Sequence, residues 1–282
     1  MFVEHVNWNF FKINKKSICL LQTPQDGATW LMTKVAEHNE NKQKEMIIPK
    51  DKDGNEYELR NLTDEQFEIA FVVLDKIREW LDIAIHGKKD NCEFKPLRLT
   101  VMGQAGTGKT VLINTLVTVI RKMFGLNNTV HVATPTGSSA FSVQGQTLHR
   151  LFQIDIRNPD NEMSPLQKEL LGKLLNTTLA LFFDERSLIS QQVLGTCEVH
   201  ARKTAHNFGH ENEDWGGIPV VILFGDDYQL PPVIHAGAFN VFKAPKGGKY
   251  SAMTVNGRRQ FLLFSGNFVI LCCSNIFGIF WY

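Results

Sequence analysis

The sequence predicts an α/β fold, a mainly parallel sheet flanked by helices, on three observations. A glycine-rich stretch, Gly103 to Gly108, separates a short β-prone run from an amphipathic helical pattern. Two near-continuous apolar runs, Leu179–Phe183 and Val220–Phe224, have the composition of parallel strands buried on both faces. Strand and helix patterns alternate, and each chemically loaded segment falls just after a strand, where open α/β sheets carry their ligands.

The elements follow in order. Residues 1–60 read as an ill-defined N-terminal segment whose second half, Glu37 to Glu58, is a polar connector with a turn at Asp53-Gly54. A helix starts near Thr63, which forms a capping box with Gln66 and buries Ala70, Val73, Leu74, Ile77 and Leu81. Arg98–Met102 is the first strand. The helix after Gly108 buries Leu112, Leu116, Val119 and Met123, and Gly125 ends it. Thr129–Ala133 is the second strand, followed by a short helix through Phe141. Ser164-Pro165 opens a further helix, with a cap and then proline at the first helical position, and it carries Leu166, Leu170, Leu171, Leu174 and Leu175. After the apolar run ending at Phe183 come a helix over about 188–203, a polar loop through Trp215, and the Val220 strand.

Composition bounds the function. The chain has 282 residues, 43% of them apolar and 21% charged, and a formal net charge of +1. A neutral balance supplies no global field for nucleic acid, so any such contact must be local. Five cysteines, with no C-x-x-C pair, read as reduced thiols in an intracellular protein. No secretory signal is visible at the N-terminus. The apolar stretch 268–282 is too short and interrupted to span a membrane, so no membrane partner is expected.

The segment Gly103-Gln104-Ala105-Gly106-Thr107-Gly108-Lys109-Thr110 is the full G-x-x-x-x-G-K-[ST] pattern, strand before and helix after. Glycines at 103, 106 and 108 allow the tight turns that point successive N–H groups at phosphate oxygens, with Thr107 inside the loop. The following helix adds the positive end of its dipole. Lys109 is suited to β- and γ-phosphates and Thr110 to Mg²⁺. A nucleoside triphosphate with Mg²⁺ is therefore the expected ligand. After the apolar strand, Asp184 would hold the cation and Glu185 would take a proton from the attacking water. An acidic pair in isolation reads as a solvated strand end; downstream of a phosphate loop it reads as chemistry. Gln229 is suited to bond a γ-phosphate or the water, although taken alone it reads as a turn residue beside Pro231 and Pro232.

These motifs, with Gly225-Asp226-x-x-Gln229-Leu230-Pro231-Pro232, resemble motifs I, II and III of the PIF-type DNA helicases, the RecD-related branch of superfamily one. Leu62-Thr63-x-Glu65-Gln66 resembles the family's Q motif, which implies an adenine contact for Gln66 beside its capping role. Thr134-Pro135-Thr136-Gly137 resembles motif Ia, and Gly145-x-Thr147-x-His149 the element that follows it. The resemblance implies contacts to single-stranded DNA at Thr134, Thr136, Gly137, Thr147 and His149, although His149 reads equally as a buried helix-start histidine. It also implies a RecA-like lobe over residues 61–271, ATP-driven 5′-to-3′ translocation in DNA repair, recombination or telomere maintenance, and work in the nucleus or the mitochondrion. Phe261–Leu271 resembles the family's strand after motif III. Arg186 departs from the family pattern, which has an apolar or small residue there. Residues 272–282 resemble nothing in the family, and motifs IV to VI of a second RecA-like lobe are missing. The chain is thus expected to be a truncated helicase that binds ATP. Two other readings stay open: a P-loop NTPase with no DNA role, and a non-enzymatic remnant.

Overall fold

The computed structural model describes residues 46–86, 94–204, 213–226, 251–265, 267–271 and 279–281. Seven strands form one sheet: β1 (Leu97–Gly103), β2 (Val130–Thr134), β3 (Gln146–Thr147), β4 (Ala180–Phe183), β5 (Val220–Gly225), β6 (Asn267–Leu271) and β7 (Ile279–Trp281). Their order is β3-β2-β4-β5-β1-β6-β7. The first six run parallel and β7 pairs antiparallel with β6. The helices are α1 (Asp64–His86), α2 (Lys109–Phe124), α3 (Gly137–Ser142), α4 (Leu148–Leu151), α5 (Pro165–Leu175), α6 (Gln191–Thr204) and α7 (Ala252–Ser265).

Alternation along each strand sorts the core into two layers. Leu97, Leu99, Val101, Phe182, Ile222 and Phe224 pack with α1 and α2 on one face. Leu181, Phe183, Val221 and Leu223 pack with α5, α6 and α7 on the other. Aromatic contacts mark each layer: Phe182 meets Phe224 edge-on, with centroids 5.8 Å apart, while Phe183 stacks on Phe152 and meets Trp215 edge-on.

Local signals fix several ends. Gly125, at φ 68°, caps α2 by donating to Arg121 O. Ser164 and Gln167 form the capping box of α5, with Pro165 at its first position. The fold departs from the sequence reading elsewhere, in each case because tertiary neighbours decide burial. Helix α2 is buried on nearly all sides, Ile113, Val117 and Ile120 included. Of the α5 leucines only Leu171 and Leu175 are buried, with Leu174 packed partly against them; Leu166 and Leu170 face outward. Trp215, expected in a polar loop, is fully buried, its indole donating to Gln260 Oε1 at 2.9 Å. Residues 261–265 belong to α7 because Phe261 and Phe264, three apart on one helix face, fill the second layer, so the strand there is only Asn267–Leu271. The long helix before Trp215 begins at Gln191, after a 3-10 turn at Arg186–Leu188.

The end of the polar connector is docked on the sheet domain. Ile47 N–H donates to Asn127 Oδ1 at 2.8 Å, and Arg121 Nη1 donates to Ile47 O at 2.6 Å. Asp51 caps the turn at Gly54 by accepting from the amides of Asp53 and Asn55.

Candidate active site

The strand order builds the site. Because β5 lies between β1 and β4, the loop after β1 and the acidic pair after β4 open on the same sheet edge, with the end of β5 between them. The loop Gly103–Gly108 turns through two left-handed glycines, Gly106 at φ 86° and Gly108 at φ 79°, and α2 begins at once with Lys109. At that φ any other residue would be strained at Gly108, and a Cβ there would also push against Gln66 Nε2. Thr107 Oγ1 donates to Gln104 O at 2.8 Å and closes the loop on itself. Lys109 Nζ donates to Gln104 O at 2.9 Å and also to Gly103 O, which places the ammonium over the loop. Thr110, on the first turn of α2, has an exposed side chain.

Gln66 does two things at once. Its Oε1 accepts from Thr63 N–H at 3.2 Å, completing the cap of α1, while Nε2 donates to Thr107 O at 3.0 Å. The cap is thus also a strut between α1 and the phosphate loop. This second bond joins residues 41 positions apart, which no local pattern announces.

Asp184 is buried, and its Oδ1 accepts from the Glu185 amide at 2.9 Å. Burial pushes its carboxyl up to about 6; the bond to Glu185 N–H and the Lys109 charge pull the other way, while the Glu185 charge adds to the rise. A buried acid with one oxygen engaged is suited to a cation, and ionises readily once one is present. Among the described residues no group of three or more His, Cys, Asp or Glu gathers to hold a metal. Mg²⁺ needs no such group, since it binds through few protein ligands plus substrate phosphates. Glu185 stands in the left-handed region, φ 54° and ψ 47°. Its Oε2 accepts from Ser139 Oγ of α3 at 2.7 Å. Sequence reasoning passed over Ser139; the signal was its place three residues after Thr136, where a cap pairs with a hydroxyl. Arg186 is buried, its guanidinium 5.4 Å from the Phe261 ring centroid. Its Cγ lies against Gly225, where a Cβ would approach within 2.5 Å. Gln229 lies outside the described residues.

The other predicted residues converge at the far side of the same edge. Thr134 and Thr147 are register partners on β2 and β3, which sets the two segments side by side. Thr136 caps α3, accepting from Ser139 N–H at 3.2 Å, and Gly137 starts that helix exposed. Thr147 caps α4. Thr134 is fully buried, and its hydroxyl donates to Thr136 O at 2.8 Å, so it shapes the loop from within. His149 is half-buried, which holds its imidazole below the usual pKa.

A mostly parallel sheet with a phosphate loop after β1, an acidic pair after β4 and a strand between them defines a RecA-like P-loop NTPase lobe. Residues 88–244 match the family model described as PIF1-like helicase, and the chain belongs to that family. It is 34% identical over 145 residues to the ATP-dependent DNA helicase RRM3 of Saccharomyces cerevisiae, covering 50% of this chain and 19% of that protein. Over 134 residues it is 31% identical to the ATP-dependent DNA helicase PIF1 of the same species, covering 46% and 15%. The chain therefore spans less than a fifth of the length of these relatives. Among solved structures, unliganded Pif1 from Bacteroides sp. superposes with a TM-score of 0.48 at 26% identity, covering 77% of this chain and 42% of that one.

Proposed function

We propose that this chain provides the nucleotide-binding lobe of an ATP-dependent DNA helicase of the PIF type, moving 5′ to 3′ on single-stranded DNA. The observation that carries it is the shared sheet edge: phosphate loop, acidic pair and the Thr134–Gly137 and Gly145–His149 segments open on one side. Family membership and the names of the two yeast relatives support the DNA role.

In this reading the N–H groups of Gly106 to Lys109 and the Lys109 ammonium bind the phosphates, and Thr110 with Asp184 holds Mg²⁺. The cation, when bound, neutralises phosphate charge. Glu185 takes a proton from water as the water oxygen bonds the γ-phosphorus; the bond to the bridging oxygen breaks and its electron pair leaves with ADP. Gln229 senses the γ-phosphate, and Gln66 ties the loop to α1 beside the base. Thr136, Gly137, Thr147 and His149 contact the strand, while Thr134 shapes the loop that presents them. A DNA substrate places this work in the nucleus or the mitochondrion, in repair, recombination or telomere maintenance. The lobe runs from about residue 61 to 271, with 1–60 and 272–282 outside it.

Thermal unfolding with nucleotide tests the cradle. Mg·ATP at about 100 times Kd adds roughly 2.7 kcal/mol, a rise in Tm on the order of 5–10 °C for a domain of this size. Lys109→Ala removes most of it. A chain that shows no shift with any nucleotide does not use this loop for phosphates. An oligonucleotide that changes neither nucleotide binding nor turnover points to a P-loop NTPase without a DNA role.

A further inference from the structure

Glu185 is aimed away from the phosphate loop, and the strand order shows it. Strand β4 has β2 on one side and β5, then β1, on the other. Helix α3 follows β2, whereas the phosphate loop follows β1. A carboxylate that leaves the end of β4 to meet α3 is therefore directed to the opposite flank from the γ-phosphate position. Ser139 Oγ holds it there at 2.7 Å. Ser139 Oγ is the donor in that bond, and a hydroxyl has one proton, so it can donate to nothing else at the same time.

Ser139 is itself held from the other side. It is 9% exposed, its N–H donates to Thr136 Oγ1 at 3.2 Å, and its hydroxyl contacts that of Thr136. Thr136 Oγ1 lies 3.1 Å from Ser138 Oγ as well. With Ser139 donating to Glu185, the Thr136 hydroxyl is left to donate to Ser139 or Ser138. When the Thr136 hydroxyl donates to Ser139, a directional chain runs from Thr136, on the segment assigned to the DNA strand, through Ser139 to the assigned base.

We infer that Ser139 is a positioning residue that holds Glu185 off the γ-phosphate until single-stranded DNA engages the Thr136 segment. This rests on the function proposed above for Glu185 and Thr136. A strand oxygen that recruits the Thr136 or Ser139 hydroxyl redirects a proton of this chain. The Ser139–Glu185 bond then weakens, and the carboxylate turns back across β4 toward the water. Hydrolysis in this scheme waits for the strand, although α3 never touches the nucleotide.

The test is single-turnover hydrolysis of γ-labelled ATP by the full chain in excess, with and without oligo-dT, for wild type, Ser139→Ala and Ser139→Thr. Tm and ATP affinity are measured on each. Wild type is expected to be slow alone and several-fold faster with oligo-dT. Ser139→Ala is expected to be fast without DNA and to gain little from it, with ATP affinity unchanged. Ser139→Thr keeps the hydroxyl and the wild-type pattern. If Ser139→Ala fails to fold, Ser139→Cys, a weak donor of similar size, carries the same expectation. Retention of the wild-type ratio by the Ala variant overturns the inference, and so does a rate lowered in both conditions, which would make the bond an aid to the base. The readings beneath it fail separately: Glu185→Gln with undiminished phosphate release removes the base, and oligo-dT without effect on wild type removes the strand.

Discussion

At the residue scale, burial assigns roles that composition leaves open. His131 sits near the start of β2, and burial, with the Arg121 charge adding to it, lowers its imidazole to about 4. The unfolded chain takes up that proton near 6.5. The depressed value therefore contributes stability that is full above pH 6.5 and is lost as pH falls toward 4. Urea unfolding at pH 7 and pH 5 checks it: wild type is expected to lose about 1–2 kcal/mol more than His131→Asn over that interval. Equal losses would mean that His131 is protonated in the fold. Arg98 obeys the same logic with another outcome. Burial lowers it to about 10, and it stays charged at neutral pH with its guanidinium bonded to the carbonyls of Leu97, Ile218 and Asp214.

At the scale of elements, α6 and α7 cross with their backbones in close contact. Gly195 and Gly257 face each other there, and a Cβ on either would come closer than 3.0 Å to the opposing backbone, at Met253 O or Gln191 O. Backbone cannot yield as a long side chain can, so the helices must separate to admit a methyl group. Gly257→Ala is expected to destabilise by about 3 kcal/mol, at the upper end of overpacking costs, despite the higher helix propensity of alanine. Denaturant titration reads this directly, and a neutral or stabilised variant would show that the helices can slide. The crossing also matters for the site. Helix α7 carries Phe261, whose ring meets Arg186 next to Glu185, so loosening it is expected to disturb the acidic pair.

At the scale of the whole molecule, the described residues build one RecA-like sheet. In the resembled family a second lobe closes over the nucleotide and supplies an arginine to the transferring phosphoryl group. A finger of that kind is worth roughly 10³–10⁵ in rate. A polypeptide of these 282 residues is therefore expected to bind Mg·ATP, to turn it over slowly and to leave a forked duplex unopened. A strand-displacement assay with a fluorescent fork checks this. Measurable unwinding would show that one lobe suffices or that residues other than the described ones carry the second.

What the sequence determined is whatever depends on neighbours a few residues apart. The phosphate loop, the capping boxes at Thr63 and Ser164, the glycine stop at Gly125 and the buried strands ending at Phe183 and Phe224 all rest on local backbone geometry or on period. Because the motifs stand in chain order, the family resemblance was also legible, and it held. The tertiary structure alone decided which faces of α2 and α5 are covered, because burial depends on what packs opposite. It also placed Trp215 in the core and joined Gln66 to Thr107 across 41 residues. The same is true of Ser139 and Glu185, 46 residues apart. Their bond exists because β2 and β4 are neighbours in the sheet, and strand order is a long-range choice that no local pattern encodes.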